Sequence, residues 1–314
     1  MEATISDPKV LVIGASGQVG AQFLAFYQSL SRPESPLPAA RHPERADWLQ
    51  LDLATLDANL ADEKLRGIDL RAVYVFAGMT NVDACEDQPE LAFQTNAHGP
   101  AFLAAYANRQ NIPFVYFSTE YVFGGKAERP GPYLEGDVPD PQNVYGASKL
   151  AGETAVREAH PGALIIRTTV VYGEDPQGKN YLYTVLRLLG TGSQLRVPQD
   201  QISTPTFNRD LIRATIGLVD AGASGVYHVC GPELLGRLEF AKRVAERFQL
   251  DSTLLLGKDT CELKQRAPRP LAAGLGTDKL RREFPNLVPR DLTACLDDCE
   301  PSLQPFLQSI LPKS

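Results

Sequence analysis

The segment that begins at Lys9 constrains the fold more than any other part of the chain. Its first residues, KVLVI, read as a short buried strand, and they run into GASGQVG and then the amphipathic stretch AQFLAFYQSL. The spacing of Gly14, Gly17 and Gly20 differs from the usual dinucleotide fingerprint, but the mechanics are the same. Backbone without Cβ atoms lets a pyrophosphate approach the helix N-terminus, and the last glycine lets helix and strand pack closely. The segment predicts the start of a nucleotide-binding α/β fold, although glycine-rich turns also arise for steric reasons alone.

Strand-like and helix-like segments alternate through the first half of the chain. A strand that ends near Ala40, a strand from Trp48 to Asp52 and the strand AVYVFAG precede a long helix from about Pro89 to Asn111. The strand PFVYF, the helix NVYGASKLAGETAVREA and the strand ALIIRTTVVYG follow. This alternation predicts a Rossmann-like, doubly wound parallel sheet of the α/β class.

The regularity of this pattern ends near Glu174. The later strand and helix candidates are shorter and mixed, and no low-complexity linker separates the two parts. We therefore expect a dinucleotide-binding domain over residues 1–173, with return segments around 207–230. A smaller, interleaved domain over 174–314 is expected to bind the substrate mainly.

Composition narrows the class of partner. The formal net charge of −7 argues against broad nucleic-acid binding, which needs a surplus of Lys and Arg. The longest apolar runs have the length of strands and the N-terminal MEATISDPK is short and acidic, so we expect no signal peptide, no membrane span and a cytoplasmic protein. Five scattered Cys predict reduced, buried thiols, and four His without ligand spacing predict no metal centre.

The residues with the clearest chemical potential are Tyr145 and Lys149. They lie at i and i+4 of a predicted helix, so their side chains share one face. A neighbouring ammonium favours a phenolate, so we expect Lys149 to lower the pKa of Tyr145 and let it exchange a proton with a substrate oxygen. Thr119, just past the strand PFVYF, could donate a hydrogen bond to the same oxygen. Alone, the pair is also compatible with two side chains on an exposed helix.

Three further polar residues bear on a cofactor. Arg41 follows the predicted second strand, after the Pro-rich connection SRPESPLP, where an Arg suits the 2′-phosphate of NADP and an acid would suit NAD. A solvated loop charge is the alternative interpretation of Arg41. Asp52 ends the predicted third strand, where an adenine could rest. Asn96 either bonds a broken turn of its helix or supports the active site, and the two interpretations are compatible.

Seven motifs, taken in order, resemble an extended short-chain dehydrogenase/reductase of the dTDP-4-dehydrorhamnose reductase family. The resemblance implies NADPH-dependent reduction of the 4-keto group of a dTDP-linked 6-deoxyhexose, the last step of dTDP-L-rhamnose biosynthesis. Thr119, Tyr145 and Lys149 match the catalytic triad of that family, and Lys149 would also bind the nicotinamide ribose. The motifs are GASGQVG, TNVDACEDQPELAFQTNAHGPAFLA, STEYVFGG, NVYGASKLAGE, RTTVVYG, QDQISTPT and RAPRPLAAGLGTDKL.

The predicted site consists of substrate-binding and cofactor-binding residues. At two positions the sequence differs from the pattern of the family. Glu120 stands where the family usually has Asp, and Val170 where it often has an aromatic residue near the sugar. The substrate residues are Val82, Glu120, Tyr121, Asn143, Asn180 and Arg269. The residues predicted to bind NADPH are Gly14, Ser16, Gly17, Gln18, Val19, Gly20, Arg41, Asp52, Leu53, Ala77, Gly78, Thr80, Asn96, Tyr145, Lys149 and Thr169.

Other functions share these motifs. A nucleotide-sugar epimerase or dehydratase has the same triad, but dehydratases place two acidic residues after the Thr, and here Glu120 is followed by Tyr121. The chain also resembles the regulatory beta subunit of methionine adenosyltransferase, which binds NADP and acts through a partner enzyme. The expected partner is otherwise a nucleotide-sugar, and a homodimer is left open.

Overall fold

The computed structural model describes residues 7–126 and 128–310; most of the acidic N-terminal segment discussed above lies outside these ranges. The strands are β1 Lys9–Ile13, β2 Ser35–Ala40, β3 Leu49–Gln50, β4 Leu70–Val75, β5 Phe114–Thr119, β6 Leu164–Thr168, β7 Val171–Tyr172, β8 Leu195–Pro198, β9 Ile202–Ser203, β10 Thr206–Phe207, β11 Gly225–His228, β12 Leu235–Gly236 and β13 Leu255–Lys258. The α-helices are α1 Gln18–Ser29, α2 Ala58–Leu65, α3 Val82–Asp87, α4 Pro89–Phe93, α5 Gly99–Gln110, α6 Val144–Ala159, α7 Tyr181–Gly190, α8 Asn208–Asp220, α9 Arg237–Arg247, α10 Asp278–Glu283 and α11 Leu292–Ile310.

A seven-stranded sheet forms the centre of the molecule. Its order is β11-β6-β5-β4-β1-β2-β3, and every neighbouring pair runs parallel. The chain proceeds outward from β1 through β2 and β3 and then returns to β4 on the other side of β1. The fold class predicted from the alternating pattern is therefore confirmed, and the reversal of strand order lies between β1 and β4.

Both faces of the sheet are buried, which explains why its strands lack polar alternation. In β1, Val10 and Val12 belong to one core with Phe23 of α1, whereas Leu11 and Ile13 face a second core on the opposite side. Successive side chains of a strand point to opposite faces, so an unbroken apolar run serves two layers of helices at once.

The second strand begins earlier in the chain than the sequence suggested. The predicted Pro-rich connection contains Pro36 and Pro38, and both belong to β2, paired with Val10 and Val12. Proline cannot donate a ladder hydrogen bond, but β3 pairs only with the last two residues of β2, so the outer side of both prolines has no strand to bond.

The predicted long helix from Pro89 to Asn111 is a continuous helical segment with an irregular centre. It consists of α4, a π-helical segment Gln94–His98 and α5, so its regular turns are interrupted around Asn96. Single π-turns inside helices often mark functional sites.

The second half of the chain contributes to both parts of the molecule. The strand β11 is an edge of the main sheet, and Leu211 of α8 and Leu280 of α10 pack in the core beside α1. Residues of α7, α9 and α11 form a separate core. The domain boundary at residue 173 stays a prediction, and α10 is a part of the later segment that packs with the sheet.

The described helices include none that is long and apolar enough to cross a membrane. Within residues 7–126 and 128–310, no group of three or more His, Cys, Asp or Glu side chains is arranged to hold a metal ion. All five cysteines are free thiols, and Cys261 is exposed while the others are buried.

Candidate active site

A deep cleft opens at the carboxyl ends of β1 and β4, where the strand order reverses. Its volume is about 720 Å³, which is within the range of small-molecule sites in proteins. Open α/β sheets bind their ligands at such a point. Of the residues predicted to bind the cofactor, the cleft is lined by Gly14, Ser16, Gly17, Gln18, Val19, Gly20, Arg41, Asp52, Leu53, Ala77, Gly78 and Thr80.

The glycine turn forms one wall of the cleft, and two of its glycines have no space for a side chain. Gly14 has φ +86°, and a Cβ atom there would lie 2.6 Å from the amide nitrogen of Ala77. A Cβ on Gly20 would lie 2.2 Å from the carbonyl oxygen of Gly14. The turn therefore needs glycine to bring α1 against β1 and β4, and it presents the start of α1 to the cleft, as the pyrophosphate of a dinucleotide requires.

Arg41 and Asp52 lie at the end of the cleft beside β2 and β3. Arg41 directly follows β2 and is exposed, and its side chain forms no ion pair with a described residue. Asp52 follows β3 and accepts a hydrogen bond from the amide of Ala54 (3.0 Å). This placement agrees with the positions that the sequence assigned to the 2′-phosphate and the adenine.

The three predicted catalytic side chains meet beyond the end of β5. Thr119 ends that strand, and its hydroxyl accepts a hydrogen bond from the amide of Tyr121 (3.2 Å), so its own proton is free to be donated. Tyr145 lies in the first turn of α6, and its ring meets that of Tyr121 edge to face, with the centroids 5.6 Å apart. Lys149 lies one turn later and is buried, with Nζ 4.1 Å from the centroid of the Tyr116 ring.

Burial dominates the acid–base properties of this group. Removal from water raises the pKa of Tyr145 well above its usual value, and the neighbouring Thr119 hydroxyl partly opposes the rise. Removal from water also lowers the pKa of Lys149 to about 7, while the Glu153 carboxylate opposes that change. The expected lowering of the Tyr145 pKa by Lys149 is therefore not found: burial raises this pKa, and the Lys149 ammonium faces the Tyr116 ring.

The lowered pKa of Lys149 predicts how stability changes with pH. Between pH 7 and about 10, the unfolded chain keeps the Lys149 proton that the folded protein has released, so stability from this group rises with pH. Relative to Lys149→Met, the wild-type protein should therefore gain free energy of unfolding as pH rises from 7 to 9. Denaturant unfolding of both proteins between pH 7 and 9 measures this gain. If the free energy of unfolding of wild type minus that of Lys149→Met stays constant or falls as pH rises, Lys149 keeps its proton in the folded protein.

A buried ion pair connects α6, the helix that carries Tyr145 and Lys149, to the central sheet. Glu153 lies one turn after Lys149, and its two carboxylate oxygens accept hydrogen bonds from the Arg167 guanidinium at 2.8 and 2.7 Å. The Ser118 hydroxyl donates to the same carboxylate at 2.5 Å. Both charged side chains are almost completely buried. The pair fixes α6 against β5 and β6, the strands that end beside the site.

Asn96 joins the irregular helix to the cleft and to α6. Its side-chain oxygen accepts from the amide of Met79 (2.8 Å), and its amide group donates to the Met79 carbonyl (3.1 Å) and the Ser148 hydroxyl (2.9 Å). The Tyr116 hydroxyl donates to the Asn96 carbonyl (2.6 Å). The contacts of Asn96 agree both with a role in the irregular helix and with support of the active site. Its side-chain amide is already hydrogen-bonded to the backbone beside the cleft and to Ser148.

The backbone is strained between β6 and β7, beside the cleft. Val170 has φ +41°, a conformation that a β-branched residue rarely adopts, and its neighbour Val171 lines the cleft. Strain of this kind persists only where the surrounding structure enforces it, and it concentrates at functional sites. Thr169, another predicted cofactor residue, is buried next to it.

Glu120 directly follows β5 and connects it to the C-terminal half of the chain. Its carboxylate accepts a hydrogen bond from the amide of Gly274 (3.0 Å) and is buried. Burial raises the pKa of Glu120 to about 7, while the nearby Thr169 hydroxyl and the Arg237 guanidinium partly oppose the rise. Within residues 7–126 and 128–310, the buried Thr169 hydroxyl has no hydrogen-bond partner at normal geometry. The contact between Glu120 and a sugar stays a prediction.

The other predicted substrate residues lie at the starts of α3, α6 and α7 and in the segment before α10. Asn143 caps α6 and also donates to the carbonyl of Pro268 (2.9 Å), and Asn180 caps α7 and donates to the carbonyl of Gly173 (2.9 Å). Arg269 pairs with Asp83 at 2.9 Å. Val82 begins α3 and is partly buried. The amide groups of both Asn residues are thus already bonded within the protein.

Sequence reasoning missed several residues that complete the site. Gln177 lines the cleft, and its side chain donates to the carbonyl of Ser16 (3.0 Å) across the two halves of the chain. Phe76, Met79 and Thr95 also line the cleft. Phe76 and Met79 could have been found from their place after a strand, whereas Gln177 gives no local signal, because only the tertiary fold brings it to the glycine turn.

Comparisons with protein families, with individual proteins and with solved structures all find similar reductases or their family. The family described as the RmlD substrate binding domain matches residues 8–300. A probable low-salt glycan biosynthesis reductase of Haloferax volcanii is 32% identical over 87% of this chain and 91% of its own length. A dTDP-4-dehydrorhamnose reductase of Mycobacterium tuberculosis is 32% identical over 86% and 85%. The crystal structure of a dTDP-4-dehydrorhamnose reductase of Bacillus anthracis, in complex with NADP, has a TM-score of 0.81 and 30% identity over 94% and 99%.

The match covers the cleft, the triad and most of both halves of the chain, and several relatives exceed 30% identity over more than two thirds of it. The resemblance noted in the motifs is thereby confirmed. The chain belongs to the RmlD substrate binding domain family.

Proposed function

We propose that this chain is an NADPH-dependent reductase of the 4-keto group of a nucleotide-linked deoxysugar, of the dTDP-4-dehydrorhamnose reductase type. The observation that carries the proposal is the convergence of Thr119, Tyr145 and Lys149 beside a dinucleotide cleft in a member of this family. Relatives of this family that are named reductases favour the catalytic function over a regulatory subunit.

The residues of the cleft fit the cofactor by shape and charge. The glycine turn, which has no room for a Cβ atom at Gly14 or Gly20, packs α1 closely against β1 and presents the start of α1 to the cleft, and Arg41 offers a cation near the second strand. When bound, NADPH supplies the hydride for a carbonyl carbon. The residues that would hold it are those lining the cleft, and Lys149 and Asn96 lie next to Gly78 of that lining.

The chain itself supplies the proton and orients the substrate. Tyr145 would donate the proton of its hydroxyl to the carbonyl oxygen, which completes the reduction to an alcohol. Its raised pKa keeps it protonated at neutral pH, the state in which a reductase needs its acid. Thr119 has a free hydroxyl proton to donate to the same oxygen, and Lys149 would stabilise the tyrosinate left behind.

Arg41→Ala should reduce the preference for NADPH over NADH by roughly tenfold, because an exposed guanidinium adds a charge-assisted hydrogen bond to the 2′-phosphate. Fluorescence titration of both nucleotides measures the ratio. Arg45→Ala is the matched control, since Arg45 is exposed in the same loop but is paired with Asp47. An unchanged ratio in Arg41→Ala would show that another residue selects the cofactor.

A direct test is the consumption of NADPH in the presence of dTDP-linked 4-keto-6-deoxyhexose, with the UDP- and GDP-linked sugars compared in parallel. We expect the dTDP sugar to be reduced and the alcohol product to accumulate. Binding of NADPH without turnover of any keto-sugar, together with co-purification of a methionine adenosyltransferase, would assign the regulatory function instead.

Two further expectations concern the setting of the enzyme. Free thiols and the use of NADPH fit a reducing compartment, so we propose a cytoplasmic protein, which cell fractionation tests. The homodimer stays a prediction that light scattering of the purified protein tests.

A further inference from the structure

Arg237 is partly buried, and its guanidinium has no acidic partner among the described residues. It is the first residue of α9, and its side chain forms no hydrogen bond or ion pair with any residue in 7–126 or 128–310. Its guanidinium carbon lies 5.0 Å from the centroid of the Tyr181 ring. Most other partly buried Arg side chains in the second half, such as Arg209 and Arg243, are paired with carboxylates. A partly desolvated cation without an anion is costly, so such a group is suited to a ligand.

The backbone places Arg237 on the substrate side of the site. The Arg237 amide donates to the carbonyl of Gln201 (2.9 Å), and the adjoining β12 pairs with β9. Directly after β9, the Thr204 hydroxyl accepts from the amide of Leu275 (3.0 Å), and the preceding Gly274 amide donates to Glu120 (3.0 Å). A short chain of contacts thus links Arg237 to the residue that follows Thr119.

The electrostatic coupling agrees with this placement. The Arg237 charge partly lowers the pKa of Tyr121, which burial raises, and it acts in the same sense on Glu120. The Tyr121 ring contacts that of Tyr145. The backbone contacts and this coupling together place Arg237 near Glu120 and Tyr121.

The other cations near the site are buried, paired with a carboxylate or located at the far end of the cleft. Lys149 is buried over Tyr116, Arg269 pairs with Asp83, and Arg41 lies at the adenosine end of the cleft. A nucleotide-sugar carries two phosphates next to the sugar, and this anionic group needs a cation on the side of the site away from the cofactor. The planar guanidinium matches phosphate oxygens in pairs.

We propose that Arg237 binds the diphosphate of the nucleotide-sugar. This inference rests on the proposed function for the identity of the ligand. The partner groups are the guanidinium of Arg237 and the two phosphate groups of a nucleoside diphosphate, with Tyr181 stacked behind the guanidinium to hold its plane.

Titration calorimetry with dTDP tests the proposal without turnover. With NADPH saturating, Arg237→Met should weaken dTDP binding by roughly 10–100-fold, and Arg237→Lys should recover part of the loss because it keeps the charge without the fork. Thymidine, which lacks phosphate, should bind wild type and Arg237→Met within about twofold of each other. Arg281→Met, at an exposed Arg of α10, is the matched control and should bind dTDP like wild type.

Equal dTDP affinity in wild type and Arg237→Met would overturn the assignment, as would an equal loss of thymidine binding, which would point to packing. If wild type binds UDP or GDP instead, the same dependence on Arg237 supports the inference and changes only the base. If wild type binds none of the three, the inference fails. An enzyme that reduces no keto-sugar but shows the Arg237-dependent dTDP binding would refute the proposed reaction and keep the diphosphate contact.

Discussion

Tyr145→Phe should lower the turnover of the keto-sugar by about 10²–10⁴-fold, the range typical of general acid catalysis. The substitution removes one hydroxyl and keeps the ring, so its edge-to-face contact with Tyr121 and the start of α6 should persist. NADPH affinity should change little, because the glycine turn and Arg41 are untouched. Steady-state turnover and cofactor titration on the same preparation measure both quantities.

Tyr121→Phe is the matched control, since it removes a hydroxyl from the neighbouring ring without touching the predicted donor. We expect it to affect substrate affinity more than turnover. If Tyr145→Phe reduces the ketone at the wild-type rate, another group donates the proton, and Thr119, whose hydroxyl proton is free, becomes the first candidate.

Glu153→Ala should destabilise the protein by about 3–5 kcal/mol, because it leaves the buried Arg167 guanidinium without its carboxylate. Denaturant titration measures this loss in the free energy of unfolding, provided that the dependence of that free energy on denaturant concentration is the same in both proteins. The double substitution Glu153→Leu with Arg167→Met should recover most of it, since a buried ion pair replaced by apolar side chains is often neutral.

Asp62→Ala provides the comparison at the surface. Asp62 forms an ion pair with Arg109 in which both side chains are about half exposed, so its loss should cost within about 1 kcal/mol. A Glu153→Ala protein as stable as Asp62→Ala would show that solvent reaches Arg167, and that the support beneath α6 is weaker than its geometry indicates.

The parts of the fold that the sequence predicted are those with local signals. The run KVLVI followed by three glycines fixed β1, the turn and α1, and the pairing of Tyr145 with Lys149 follows from helical spacing alone. Asn143 and Asn180 were predicted as substrate residues but not as helix caps, although both precede helix-like stretches and so carried the signal of a cap.

The parts that the sequence could not predict depend on contacts between distant segments. Arg237 follows Gly236 in an unremarkable polar stretch, and only the pairing of β12 with β9 brings it toward Glu120. The pKa of Lys149 depends on how deeply α6 is buried, a property that helical spacing does not contain. The start of β2 was misplaced because Pro is normally read as a break, whereas here one side of β2 is largely unpaired. The strand β3 is shorter than the predicted segment from Trp48 to Asp52.

The transfer of deuterium tests the central claim most directly. NADPH that carries deuterium at the reduced nicotinamide carbon is incubated with the wild-type enzyme and dTDP-linked 4-keto-6-deoxyhexose, and the product is analysed by mass spectrometry and NMR. A reductase should place one deuterium on the carbon that held the keto group, with one NADPH consumed per alcohol formed. A sugar that changes configuration without deuterium or net loss of NADPH would indicate an epimerase, and an unchanged sugar would contradict the catalytic account.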